Sequence, residues 1–345
     1  MAYTTINKST DYFNTKLYTG TGSTYAITGV GFQPDWVWLK ERAGVGGHNI
    51  FDAVRGVTKV IYSNGTNAES TEAQALTTFG TDGFTLGTNT NVNESGMSMV
   101  AWNWLANGAG SANTDGSINS TVSANTTSGF SIVSFTATGS ASTIGHGLGV
   151  VPKVVLVKSR TAVLNWFMYN SNFAGANDFI TLNETGAVQA NSVVFNGTAP
   201  TSSVFSVGTV HGNGSDVIAY CFAEKTGYSK FGSYTGNGSA SSGTFIYTGF
   251  KPAWVLVKRT NASGNNWQMH DIKRTQYAQP INHRIAPNVN LAEQTGDTLG
   301  FDFVSNGFRP NNSNADYNGS GSSYIYMAFA SAPLVGTNNV PATAR

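Results

Sequence analysis

The stretch Gly31-Phe-Gln-Pro-Asp-Trp-Val-Trp-Leu-Lys40 decides the fold, because it comes back. It recurs as Gly249-Phe-Lys-Pro-Ala-Trp-Val-Leu-Val-Lys258 and, more loosely, as Gly149-Val-Val-Pro-Lys-Val-Val-Leu-Val-Lys158. In each copy the proline precedes the lysine by six positions. The register then holds far beyond the motif. His48 and Trp166 stand fourteen positions after Pro34 and Pro152, and Trp267 fifteen after Pro252. Four positions beyond these come Asp52, Asn170 and Asp271. Each copy closes on an apolar run, Met99 to Trp104, Val217 to Phe222 and Tyr324 to Phe329. Pro34 to Trp104 and Pro152 to Phe222 both span 70 positions, and Pro252 to Phe329 spans 77. Self-similarity held over such a distance marks tandem structural units.

Each copy also opens alike, with Tyr18-Thr-Gly-Thr-Gly-Ser23, Phe135-Thr-Ala-Thr-Gly-Ser140 and Tyr234-Thr-Gly-Asn-Gly-Ser239. A turn rich in Asn and Gly precedes each closing run. Short β-branched and aromatic runs bounded by Gly, Asn, Ser and Pro read as strands. The runs Val37 to Lys40, Val154 to Lys158 and Val255 to Lys258 are apolar on both faces, the pattern of central strands covered on both sides. Helical periodicity is weak, with Glu69 to Leu76 and Asp52 to Lys59 the best short candidates. The expected fold class is all-β, three tandem β-sandwich (jelly-roll-like) units, with a small barrel as the alternative. The expected boundaries are an N-terminal segment 1–16, repeat 1 over 17–106, a linker 107–127, repeat 2 over 128–228, repeat 3 over 229–332 and a tail 333–345. Residues 107–127 are almost all small and polar, which reads as a linker or an extended segment packed along the surface. Repeats 2 and 3 have hardly any linker and should pack closely.

Of the 345 residues only 11% are charged, against about 25% in an ordinary domain. Formal net charge is +1. No basic excess exists to neutralise phosphates, which argues against nucleic acid as a partner. The single cysteine, Cys221, cannot form an internal disulfide and lies in an apolar run, where a buried inert thiol is expected. No apolar stretch approaches the roughly 20 residues of a membrane span. Met1 to Thr19 lacks the pattern of a signal peptide, so folding in a cytoplasm is expected, with release by lysis or in an assembled particle if the chain works outside a cell.

The recurrent polar set is Lys40, Asp52 and Arg55, echoed by Lys258, Asp271 and Arg274. Arg and Asp give directed hydrogen bonds that suit a sugar or carboxylate ligand. The competing reading is an ion-pair network tying a loop to the end of a central strand, and it is the weightier. Copy two keeps Lys158 but has Asn170 and Phe173, so a unit folds without the set. Trp166 and Trp267 follow polar loops and could stack on sugar rings, whereas Trp36 and Trp254 lie inside apolar strands and read as core. The five histidines show no metal-ligand spacing. No Gly-x-Ser-x-Gly elbow and no recurrent carboxylate pair appears. A non-enzymatic protein without cofactor or metal is expected.

Several stretches resemble a family of uncharacterised proteins of tailed phages of marine bacteria. They are Met1-Ala-Tyr-Thr-Thr-Ile6, Gln33-Pro-Asp-Trp-Val-Trp38, the run Tyr220 to Gly238 beginning Tyr-Cys-Phe-Ala-Glu-Lys, and Val340-Pro-Ala-Thr-Ala-Arg345. The resemblance covers essentially the whole chain. It implies a virion-associated protein: a tail-fibre or tail-tip adhesin that contacts the host, or a capsid decoration knob. A carbohydrate-binding module or polysaccharide depolymerase is the reading from another class. The implied partners are other phage structural proteins, further copies of the chain (a trimer expected first) and host-surface polysaccharide, without membrane insertion. The family carries no established catalytic residues.

Overall fold

A computed structural model describes residues 3–296, 299–336 and 338. The regular structure of the described residues is almost all antiparallel strand, as expected, with no closed barrel among them. The main sheet of unit 1 runs β1(Phe13–Thr19), β9(Ser98–Trp104), β3(Trp36–Glu41), β4(Asn49–Asp52), β5(Lys59–Tyr62), β6(Ser70–Thr71). Unit 2 repeats this order with β12(Phe130–Thr136), β19(Asp216–Phe222), β14(Val154–Ser159), β15(Phe167–Asn170), β16(Asp178–Thr181) and β17(Gln189–Ala190). Unit 3 keeps the first four, as β20(Ser229–Thr235), β28(Ser323–Pro333), β22(Phe250–Arg259) and β23(Gln268–Asp271). In every unit, therefore, the strand of the proline motif lies beside the closing strand, and the closing strand beside the opening one.

The registers agree residue for residue. Trp38 faces Trp102, Leu156 faces Tyr220 and Leu256 faces Met327. The motif glycines Gly31, Gly149 and Gly249 have φ of 95°, 69° and 81°, a left-handed conformation that only glycine enters freely. The turn glycines Gly96, Gly214 and Gly321 share it, at 78°, 77° and 68°, which lets each turn swing into its closing strand.

A small sheet covers the outer face of each main sheet: β2(Tyr25–Thr28), β8(Gly83–Leu86) and β7(Leu76–Gly80) in unit 1, β13(Ser142–Gly145) and β18(Val204–Val207) in unit 2, β21(Ile246–Tyr247), β27(Gly307–Pro310) and β26(Phe301–Val304) in unit 3. Each sandwich encloses its own apolar cluster, as around Val37 and Phe51, Val155 and Phe205, or Val255 and Phe308. The opposite faces of all three main sheets meet in a single further core. Trp36, Trp38 and Trp104 of unit 1 join Leu156, Tyr220 and Phe222 of unit 2 and Trp254, Leu256 and Phe329 of unit 3. The two-period of a strand accounts for this: 36 and 38 point inward, 37 and 39 outward, and both faces are buried.

Three expectations need correction. Residues 107–127 are not a linker. They contain β10(Ser111–Asn113) and β11(Ser120–Asn125), which extend the main sheet of unit 2. Edge strands need few apolar side chains, and Val122 with half-buried Ala124 suffices to pack this one. Unit 1 begins inside the segment 1–16, since β1 starts at Phe13 and pairs there with Trp104. Asp52 to Lys59 and Glu69 to Leu76 form strand ends and turns, and the short α-helices among the described residues are Thr90–Asn93 and Ser192–Phe195, capped by the Asn89 and Asn191 side chains. Of the tail 333–345, residues 337 and 339–345 lie outside the described residues.

Candidate functional site

The charged and aromatic residues singled out by sequence gather at the seams between units. Asp52 ends β4, and its carboxylate accepts from its own loop: Arg55 N at 2.8 Å and Arg55 Nε at 2.5 Å. The same carboxylate accepts from the Tyr220 hydroxyl of unit 2 at 2.7 Å. Asp271 repeats the arrangement with Arg274 Nε at 2.5 Å, but its visitor is Trp102 Nε1 of unit 1 at 3.0 Å. Both pairs have fully buried side chains.

Each buried arginine passes the chain of charge onward. Arg55 Nη1 donates to Glu69 at 3.1 Å, and Glu69 is clasped by Arg160 of unit 2 through Nε and Nη2, both at 3.0 Å. Arg274 Nη1 donates to Glu293 at 2.9 Å, and Glu293 is held by Arg42 of unit 1, closest at 2.7 Å. Burial pushes both glutamates up, but the flanking guanidinium groups outweigh it and leave each carboxyl below its ordinary range. Two-pronged arginine contacts of this kind fix geometry as well as charge. Sequence reading missed Glu69, Glu293, Arg42 and Arg160. A signal existed for the last two, since both stand two positions after a motif lysine.

The lysines do not join these clusters. Trp36 lies opposite Asp52, while Lys40 lies four residues further along β3. Lys40 Nζ donates to the carbonyls of Glu41 and Gly44, and Lys258 Nζ to those of Thr185 and Asn265. Lys158 does the same with Ser159 and with Thr66 of unit 1. The expected triads are thus Asp–Arg pairs with the lysine elsewhere. All three lysines are buried, and desolvation pulls each ammonium down to about 8.

Trp166 and Trp267 are buried at 0% and 1% exposure, so they offer no ring face to a sugar. Their indole N–H groups are seam bonds: Trp166 Nε1 to the Tyr62 carbonyl of unit 1 at 2.8 Å, Trp267 Nε1 to the Thr181 carbonyl of unit 2 at 3.0 Å. His48, the equivalent residue of unit 1, completes the cycle with Nε2 at 3.1 Å from the Ala286 carbonyl of unit 3. Unit 2 leans on unit 1, unit 3 on unit 2 and unit 1 on unit 3, so the ring closes within one chain. Burial, then the nearby Lys40, hold the His48 imidazole well below its ordinary range, which keeps it neutral.

The inner core leaves a gap of only 10 Å³, lined by apolar side chains and the rings of Trp36, Trp104 and Trp254. The N–H groups of these three tryptophans find no oxygen or nitrogen acceptor; they sit among aromatic faces such as the Trp36–Trp104 pair at 4.4 Å. A larger cleft, 160 Å³, opens between β1 and the loop after β23. Cys221 is buried, and burial raises its thiol to about 12, an unreactive state. Among the described residues no group of three or more His, Cys, Asp or Glu is placed to hold a metal. No helix among them is long and apolar enough to cross a membrane.

Fold and site together define a class: an all-β protein of three homologous sandwiches closed into a ring, whose recurrent polar residues serve the seams. Residues 8–333 match the model of a family described as Domain of unknown function (DUF7483), and the chain belongs to that family. No curated protein and no solved structure matches it.

Proposed function

We propose that the chain is a non-enzymatic surface protein of a tailed-phage particle, an adhesin that contacts the host. The observation that carries the reading is the disposition of the ionisable side chains. Asp52, Arg55, Asp271, Arg274, Glu69 and Glu293 are all engaged in pairs across or beside seams. Catalysis requires such groups to be shifted and to face a pocket that admits substrate, whereas these are buried in seams. A ring of three sandwiches around one core is instead a stiff body that keeps its surface in a fixed shape. The phage placement rests on the resemblance of Gln33 to Trp38, Tyr220 to Gly238 and the two chain ends. Purified chain added to host cells should block adsorption of the parent phage and release no reducing sugar ends from host polysaccharide. Release of reducing ends, or adsorption undiminished at saturating chain, overturns the proposal.

A further inference from the structure

Ring closure allows one seam to be compared with the other two at equivalent positions. Strand pairing makes Thr15, Ile132 and Phe231 equivalent, since they lie opposite Trp102, Tyr220 and Met327. The loop residues two beyond Asp52, Asn170 and Asp271 are Val54, Asn172 and Lys273. Where unit 2 meets unit 3, Asn172 Nδ2 donates to the Phe231 carbonyl at 3.3 Å and the Phe231 ring is buried in the inner core. Unit 2 brings Ile132, also buried, and unit 1 brings Val54, packed against the same core. Where unit 3 meets unit 1, the small polar Thr15 faces Lys273, and the 160 Å³ cleft opens there.

The lip of this cleft is built by the loop after β23, within the copy whose span is longer by seven residues. Gln276 and Tyr277 sit at φ of 53° and 65°, a conformation rare for side chains of that size. Tyr277 N donates to the Ile272 carbonyl at 2.8 Å, and the turn leaves the Tyr277 ring 57% exposed beside the cleft. Lys273 Nζ lies 5.3 Å from the centre of that ring. Among the described residues its ammonium pairs with no carboxylate, and none lines the cleft. Residues held in this sparsely populated conformation cluster at active sites, ligand clamps and switch regions.

We propose that this cleft binds one acidic sugar residue of a surface polysaccharide. The inference rests on the reading that the chain contacts the host. The sugar's C–H face would lie on Tyr277, its carboxylate or sulfate on Lys273 and a hydroxyl on Thr15. The volume lies well below the about 300–1,000 Å³ of drug-sized sites, which limits the occupant to a single ring of a longer chain. Calorimetric titration of the full chain with an oligogalacturonide, a carrageenan oligosaccharide and a neutral galactan oligosaccharide tests this. The carboxylated or the sulfated oligomer should bind, and which of them binds names the anion. Tyr277→Ala and Lys273→Gln should each weaken binding about tenfold. Thr15→Phe, which borrows the residue of the unit 2–unit 3 seam, should abolish binding without lowering Tm. Should that variant fold poorly, Lys273→Gln, at a half-buried position, still reads the anion contact. Failure of all three oligomers to bind, equal binding of the neutral one, or binding that survives Thr15→Phe overturns the site. Host-cell adsorption measured in parallel separates the two proposals. Adsorption by wild type and Thr15→Phe alike removes the cleft and leaves the attachment reading standing. No adsorption by wild type removes both.

Discussion

The seam between units 1 and 2 and the seam between units 2 and 3 do the same job with opposite chemistry. The first threads Asp52, Arg55, Glu69 and Arg160 into a buried ionic chain. The second carries Asn170, Phe173, Val188 and Thr260 at the same four places. Backbone contacts fix the equivalence: Glu69 N donates to the Arg160 carbonyl at 2.7 Å and Val188 N to the Thr260 carbonyl at 2.9 Å, with Glu293 N to the Arg42 carbonyl at 2.7 Å in the third seam. All four charged positions are neutral together in the second seam, and none is changed alone. Geometry therefore belongs to the strand ladders and the shared apolar core. The ionic chain is one of two ways to fill the space beside them. This fits the general behaviour of buried ion pairs, for which desolvation offsets most of the Coulombic gain.

The comparison breaks most visibly if one charged partner is removed. Asp271→Ala leaves Arg274 buried with Glu293 alone and strips the Trp102 N–H of its acceptor. Loss of one member of a buried pair costs about 3–5 kcal/mol. Asn170→Ala, the matching change at the neutral seam, removes a local acceptor of Asn172 N and should cost about 1 kcal/mol. Denaturant unfolding of both variants measures the contrast, and equal losses would show that the charges are not what distinguishes the seams.

A smaller net effect is expected when the neutral set is transplanted whole. Arg55→Phe alone orphans Asp52 and should cost several kcal/mol. Asp52→Asn, Arg55→Phe, Glu69→Val and Arg160→Thr together should fall within about 2 kcal/mol of the parent chain, because every charge leaves with its partner. The same unfolding experiment gives the coupling. A loss equal to the sum of the single losses would mean that the two seams are not interchangeable.

Much of this architecture is legible in the sequence. The proline-to-lysine spacing places three equivalent strands, and the doubly apolar runs announce burial on both faces. Absent from the sequence is the direction in which the second face points. A strand such as Trp36 to Lys40 reads the same whether it packs under a loop or against two sister units, so the shared core was invisible. The tryptophans illustrate the limit. Trp166 and Trp267 follow polar loops, which suggested exposed rings, yet a polar loop can equally deliver an indole N–H to a neighbour's carbonyl. The Lys–Asp–Arg set failed for a geometric reason. Residues that recur together need not meet, and Lys40 lies the length of the motif strand from the Asp52 carboxylate.

A pH effect belongs to a feature that all three seams share. Lys40, Lys158 and Lys258 each sit in a cage of carbonyls, and burial brings each ammonium from 10.5 down to about 8. Between those values the unfolded chain binds more protons than the folded one, so stability must rise with pH through the window. The gain has an upper edge. Tyr18, Tyr228 and Tyr234 are buried, and burial raises their hydroxyls above the ordinary 10.0. Above pH 10 the unfolded chain loses those protons first, and stability falls again. Melting temperature should therefore climb modestly from pH 8 to a maximum near 10 and then decline. Because the lysines occur at charged and neutral seams alike, Lys158→Met and Lys258→Met should each flatten the climb by a similar amount. A Tm that falls steadily from pH 8 upward would mean that the ammonium groups are not desolvated in the folded ring. A climb lost in only one of the two variants would show that the seams differ in their lysines as well as in their ion pairs.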